Sequence, residues 1–229
     1  MTDLAPVRAR ALFYAHDGTP VLSGVDVDIP AGRVTAIIGP NGAGKTTLIE
    51  VLAGVRKAGS GEVTRDTPVA LVVQRPDAPA ELPITGRQVV ALGAAAPAGG
   101  ARLGRGGRAA RVAEAVERVG ATEFADAPFG QLSGGQRQRI LIAQGLAVGA
   151  GALLLDEPAA GLDELSRART RELLAAEAAR GVAVACVTHD AADIAVADRV
   201  IRIEHCRAHL RVGGSGRALS GDSPARATG

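Results

Sequence analysis

The sequence predicts an α/β fold: a largely parallel core sheet, preceded by a small antiparallel β lobe and interrupted by an inserted helical lobe. Three observations point to it. Short, predominantly apolar runs recur at residues 34–38, 69–73, 151–155 and 182–187, with helical periodicity or turn residues between them. Apolar runs of that length belong to strands covered on both faces. Ahead of them, residues 7–15 and 22–29 alternate apolar and polar side chains around a turn at Asp17-Gly18-Thr19-Pro20, the pattern of antiparallel strands. The first core run then opens into Gly39-Pro40-Asn41-Gly42-Ala43-Gly44-Lys45-Thr46-Thr47 before an apolar helix start at residues 48–52.

That last stretch carries the strongest chemical signal in the chain. Glycines let backbone N–H groups curl around a phosphate without Cβ clashes, and a lysine at position 45 reaches the β- and γ-phosphates. The Thr46 hydroxyl is placed to ligate Mg²⁺, and the amides of a helix N-terminus add partial positive charge. The G-x-x-x-x-G-K-T spacing sits between a strand and a helix, the context in which it means nucleotide binding rather than an empty turn.

Composition narrows the alternatives. At 229 residues the chain can bury one good core or two small lobes. The net charge of +2 conceals a skew, because Lys45 and Lys57 are the only lysines among 26 basic residues. No arginine block is interleaved with aromatics, which make up 2 % of the chain, so no nucleic-acid partner is expected. No 18-residue uncharged apolar run predicts a membrane span, and Met1-Thr2-Asp3-Leu4 does not start a secretory signal. Cys186 and Cys206 fall in separate apolar strands and are expected as reduced thiols.

Taken in order, the chain places further polar residues where strands end. Tyr14 is the only tyrosine. It is either a sheet aromatic or a ring that stacks on a flat base. Gln74 ends the run at 69–73, at the edge where doubly wound sheets bind ligands. Residues 76–133 read as the helical lobe, with a short helix at 88–93, a surface connection rich in Ala and Gly at 94–107, and an amphipathic helix at 108–119. Ser133 is a good N-cap, and with Gly134, Gly135 and Gln136 it forms a second anion-binding nest at a helix start. Asp156 and Glu157 end the run at 151–155, where one carboxylate can hold Mg²⁺ and the other can polarise water. A helix follows from about 164 to 180, then the strand at 182–187, which delivers His189 to the same edge. A short helix at 190–197 and closing strands at 199–204 and 208–212 complete a domain spanning residues 4–212. The tail at 213–229 reads as disordered. His205, Cys206 and His209 give only a weak metal-site signal.

Taken together, these motifs resemble the nucleotide-binding subunit of ATP-binding-cassette (ABC) transporters over about residues 7–205. The resemblance implies a P-loop NTPase with a RecA-like core, using ATP and Mg²⁺. It implies that Tyr14 stacks on adenine and that Gly39 to Thr47 form the phosphate loop. Gln74 would couple Mg²⁺ and the lytic water to a membrane subunit. Ser133, Gly134, Gly135 and Gln136, with Leu132, form the family signature that contacts the γ-phosphate held by a partner cassette. Asp156 would support Mg²⁺, Glu157 would be the catalytic base, Leu162-Asp163 would communicate across the dimer and His189 would be the switch histidine. Two anion sites in one chain fit a head-to-tail homodimer in which each copy closes the other's ATP site.

The resemblance also implies a multi-span membrane permease as partner, an extracytoplasmic solute-binding protein acting indirectly, and a peripheral position on the cytoplasmic face of the cell membrane. Glu81-Leu82-Pro83-Ile84-Thr85, followed by Val89-Val90-Ala91-Leu92-Gly93, is similar to a segment of zinc, manganese and iron-chelate importers. Gly86 stands where valine commonly follows that threonine, and residues 61–71 are brief for the family. The competing expectations are an ABC cassette serving a non-metal importer or an exporter, and a soluble ABC-type ATPase acting on nucleic acid, ribosomes or a protein assembly. A single cassette without a long coiled coil speaks against the second.

Overall fold

A computed structural model describes residues 5–73, 83–95 and 104–212. Gln74, the proline-rich run through residue 82, residues 96–103 of the Ala/Gly connection and the 213–229 tail lie outside the described residues.

The alternating N-terminal segments form β1 (Val7–His16) and β2 (Thr19–Ile29), paired antiparallel. Asp17 and Gly18 both have positive φ, 46° and 79°, which gives the hairpin turn whose twist matches the flanking strands. After β3 (Val34–Ile38) and α1 (Lys45–Ala53), β4 (Ser60–Arg65) returns to the other side of β1, so the small sheet runs β2-β1-β4. Ala11 sits in a bulge with φ 45°, its N–H donating to the Asp26 carboxylate at 2.8 Å.

The apolar runs become β5 (Val69–Val72), β6 (Ala152–Asp156) and β7 (Ala183–Val187), and β8 (Arg199–Glu204) joins them. The core sheet runs β5-β6-β7-β3-β8-β9, parallel except for the edge strand β9 (Arg207–Val212). Period-2 geometry divides its side chains between two cores. Leu153, Leu155, Val184 and Cys186 pack with the helices on one face. Leu154, Ala185 and Val187 pack with α1 and the small sheet on the other. Cover on both faces is the reason these strands do not alternate.

Three helices pack together beyond the sheet: α2 (Gly86–Ala95), α3 (Arg105–Arg118) and α4 (Gly134–Ala147). The structure corrects the expected connection at 94–107. Helix α2 continues through Ala95 because Ala94 is buried against the core, and α3 begins at Arg105, its glycines tolerated in an exposed first turn. Helix α5 (Glu164–Ala179) is tied to α3 through a fully buried carboxylate. Glu177 accepts from the Arg118 guanidinium and, at 3.2 Å, from Arg180.

A second correction concerns the cysteines. Both are unpaired and Cys186 is buried in β7, where burial pushes its thiol up to about 12. Cys206 lies in a turn rather than a strand. His205 and Cys206, with φ 49° and 65°, make the hairpin between β8 and β9. That conformation aims the thiol at the Pro20 carbonyl, 3.4 Å away. The Cys206 carbonyl accepts from Ser23 N–H at 2.7 Å, joining the two sheets. Among the described residues no His, Cys, Asp and Glu side chains gather into a metal-binding group, so the His205, Cys206 and His209 signal finds no support.

Helices α2 and α4 touch backbone to backbone at Gly93, where a Cβ would lie 2.0 Å from the Gln144 carbonyl oxygen. Gly93→Ala is therefore expected to destabilise the fold by about 3 kcal/mol, the upper end of overpacking costs. Urea unfolding of the two proteins measures it.

Candidate active site

The site is built from what the core strands carry at their C-terminal ends. Gly39 leaves β3 with φ 150°, in contact with β8, and a Cβ there would stand 2.2 Å from the Ile203 carbonyl oxygen. Gly44 is the left-handed N-cap of α1, and a Cβ there would meet Val21 at 2.9 Å. The loop closes on itself through Ala43 N–H to the Pro40 carbonyl at 3.2 Å. Lys45 folds back across it, its ammonium donating to the carbonyls of Gly39 at 2.8 Å and Pro40 at 2.9 Å. A buried ammonium beside a glycine-rich turn at a helix N-terminus is an arrangement suited to an anion.

Asp156 ends β6 beside that loop. One carboxylate oxygen accepts from the Thr46 hydroxyl at 2.9 Å, and the other, Oδ1, is buried with no hydrogen-bond partner. Burial raises the Asp156 pKa, the nearby Glu157 carboxylate adds to the rise, and the Thr46 hydrogen bond opposes it. A desolvated carboxylate oxygen next to a threonine hydroxyl is a hard-oxygen donor pair suited to a divalent cation such as Mg²⁺. Glu157 follows in the left-handed region, φ 46°, a conformation non-glycine residues hold only where surroundings enforce it.

A groove of about 490 Å³ runs beside the loop, lined by Lys45, Thr46 and Glu157 together with Tyr14, His16 and Arg56. Tyr14 packs from β1 against the core and also lines the groove. Its hydroxyl accepts from Arg56 at 3.2 Å, while Glu50 holds the same guanidinium. His16 and Arg56 escaped the sequence reading. His16 stands two residues from Tyr14 on one strand, a period-2 signal that could have found it; nothing local marks Arg56.

His189 is exposed after β7 and shares a smaller cavity with Glu157 and Gly161. The structure thus brings together Tyr14, residues 39–47, Asp156 and Glu157, with His189 adjacent. It sets Ser133 to Gln136 apart, beside Leu162 and Ser166, outside the described lining of the groove. The expected nest there is an ordinary helix start. Neither Gly134 nor Gly135 has positive φ, and Ser133 and Gln136 form a reciprocal capping box. One of the two glycines has a packing cause, because a Cβ on Gly135 would lie 2.4 Å from the Ser166 hydroxyl. Capping still leaves the first amides of α4 without partners inside the helix.

Comparison with known proteins agrees with this geometry. The family model described as ABC transporter matches residues 22–160. The chain belongs to the ABC transporter family. It is an ATP-hydrolysing cassette of the kind that energises a transporter. The cassette is 36 % identical over 209 residues to a zinc import ATP-binding protein of Halorhodospira halophila, covering 90 % of this chain and 76 % of that one. It is 42 % identical over 219 residues to a hemin import ATP-binding protein of Streptomyces coelicolor, covering 90 % and 74 %. Among solved structures, cbiO1 of the Clostridium perfringens cbiONQ ABC transporter complex aligns with TM-score 0.78 and 30 % identity over 91 % of the cassette and 88 % of that chain. An inward-facing metal-chelate type ABC transporter aligns with TM-score 0.82 at 23 % identity over 92 % and 84 %, a likeness of fold. No helix among the described residues is long and apolar enough to cross a membrane.

The raised Asp156 pKa has a consequence for stability. The carboxyl is neutral in both folded and unfolded chains below its ordinary value of 3.8, so no penalty exists there. The penalty develops as pH rises through the higher folded value, where the buried charge is disfavoured. Asp156→Asn is expected to raise the unfolding midpoint at pH 7 in nucleotide-free, metal-free buffer, with the gain shrinking toward pH 4. Thermal unfolding across that pH range tests it.

Proposed function

We propose that the groove binds ATP with Mg²⁺, that two copies of the cassette close head to tail around two ATP molecules, and that the assembly drives import of a transition metal or metal chelate through a membrane permease. The observation that carries the nucleotide reading is the buried Asp156 carboxylate beside the glycine-rich loop, one oxygen accepting from the Thr46 hydroxyl and the other, Oδ1, buried with no hydrogen-bond partner. Tyr14 stacks on the adenine, and the amides of Gly39 to Thr47 with the Lys45 ammonium hold the phosphates. Thr46 and Asp156, with Gln74 beyond the described residues, would hold Mg²⁺, which when bound would supply positive charge against the phosphate oxygens. Glu157 orients and deprotonates the attacking water, and His189 contacts the γ-phosphate from the neighbouring strand end. Preorganised donors around the transferred phosphoryl group stabilise the charge that develops there.

The dimer reading is supported by the separation of Ser133 to Gln136 from their own chain's groove. A helix N-terminus with uncommitted amides, displaced from the only phosphate loop in the sequence, finds a γ-phosphate when a second copy supplies it. The metal reading is supported by the relatives named as zinc and hemin import proteins and by Pro83-Ile84-Thr85 ahead of α2.

Glu157→Gln is expected to lower steady-state ATP hydrolysis by about 100-fold or more, in the range of general-base contributions, while ATP binding persists. In ATP the same variant should elute as a dimer on size exclusion; an unchanged rate would refute the assignment. Glu157→Gln held in ATP should also recover a multi-span membrane protein from native membranes, identified by mass spectrometry. Recovery of only ribosomal or DNA-associated proteins would transfer the reading to a soluble ABC-type ATPase.

A further inference from the structure

The turn that carries His189 is held by a charged network that the assigned motifs do not include. Thr188, buried at the end of β7, donates its N–H to the Ile37 carbonyl of β3 at 3.1 Å. Its hydroxyl donates to Asp193 at 2.8 Å and accepts from Asp190 N–H at 3.1 Å. Asp190 caps α6 (Ala191–Val196), accepting from Ala192 N–H at 2.7 Å, a hydrogen bond that holds its carboxyl below the usual range. Thr188 and Asp190 therefore flank His189, joined by one hydrogen bond, and Asp193 holds the Thr188 hydroxyl.

Both carboxylates face one side of α5. Arg171 donates through Nε to Asp193 at 2.9 Å, and Arg167, one turn earlier, lies 3.5 Å from Asp190. The pairing is incomplete. Arg171 Nη2 is buried with no hydrogen-bond partner and sits 4.0 Å from Asp190, and Arg167 Nε is also buried and unpartnered. Buried guanidinium donors left short of an acceptor are costly, and a small approach of α6 to α5 would satisfy the one facing Asp190. Room for such a movement exists: a cavity of about 60 Å³ lies between the two helices, lined by Arg167, Arg171, Asp193, Pro158, Cys186 and Val196. Helix α5 starts at its Asp163 N-cap, directly after Leu162, and Pro158 directly follows Glu157.

We infer that Arg171, assisted by Arg167, is a positioning residue for His189: it holds the histidine turn to α5 through Asp193 and Thr188. Displacement of the Leu162-Asp163 end of α5 is thereby transmitted to the histidine. Arg171 does not line the groove. Its effect on hydrolysis rests on the reading of His189 as the γ-phosphate contact, whereas its effect on the position of the imidazole does not.

Two measurements separate these. The first is steady-state hydrolysis by the full chain across a double-mutant cycle. Arg171→Met is expected to lower kcat about tenfold with KM for ATP changed less than about twofold, and Arg171→Lys to recover part of the loss. In a His189→Ala background, Arg171→Met should cause no further loss. A full tenfold loss in that background, or an effect on KM alone, would overturn the proposal. The second is NMR of the histidine ring resonances, four in the chain, with His189 assigned through His189→Ala. Arg171→Met and the milder Asp193→Asn should both shift the His189 signal while those of His16, His205 and His209 stay in place. An unmoved His189 signal would overturn the inference whatever the kinetics show. If His189→Ala hydrolyses ATP normally while the signal does move, the γ-phosphate reading fails and the positioning link stands.

Discussion

Strand β3 is hydrogen-bonded on both sides, to β7 and to β8, and the phosphate loop leaves it at the point where it touches β8 most closely. The contact between Gly39 and the Ile203 carbonyl leaves no space for a side chain, and Gly44 is similarly pressed against Val21 of the small sheet. The loop is therefore clamped between the core sheet and the N-terminal sheet before any ligand arrives. Rigid donors cost no reorganisation when charge develops on a phosphate, so the packing of two glycines and the electrostatics of the site have one origin.

The same ladder brings the acidic residues into place. Parallel pairing aligns the C-terminal ends of β6, β7 and β3, so Asp156, Glu157 and His189 emerge along one edge without any local preference directing them there. That placement opposes stability. Asp156 is desolvated, one of its oxygens lacks a partner, and Glu157 adopts a backbone conformation that its side chain disfavours. Such conflicts collect at functional sites because the surrounding core can hold them. The two hydrophobic cores on either face of the sheet supply that hold here.

Two charged links extend from this frame through α5. At its C-terminal end the buried Glu177 is bound by Arg118 of α3, so the helices beyond the sheet are tied to the core by an ion pair that neither partner can leave cheaply. Near its N-terminal end Arg167 and Arg171 face the carboxylates around His189. α5 thus spans the distance between the helical layer and the edge where the strand ends meet.

The sequence alone determined the glycine-rich loop, the buried strands and the acidic pair at a strand end, because each rests on a local pattern: glycine spacing, an apolar run, two adjacent carboxylates after it. It also located the start of α4, since Ser133 and Gln136 cap it through contacts three residues apart. What it misplaced or omitted depended on distant partners. Ala94 and Ala95 are helical because Ala94 is buried against the core and Gly93 seats α2 against Gln144, remote in sequence. Cys206 sits in a turn because that turn must reach Pro20 and Ser23. Arg56 joins the groove only because α1 ends beneath Tyr14, and Gly135 is small because Ser166 packs on it. Short-range periodicity encodes which elements form. Which side chains meet between those elements was decided by the tertiary structure, because close approach of remote backbones leaves no mark on local pattern.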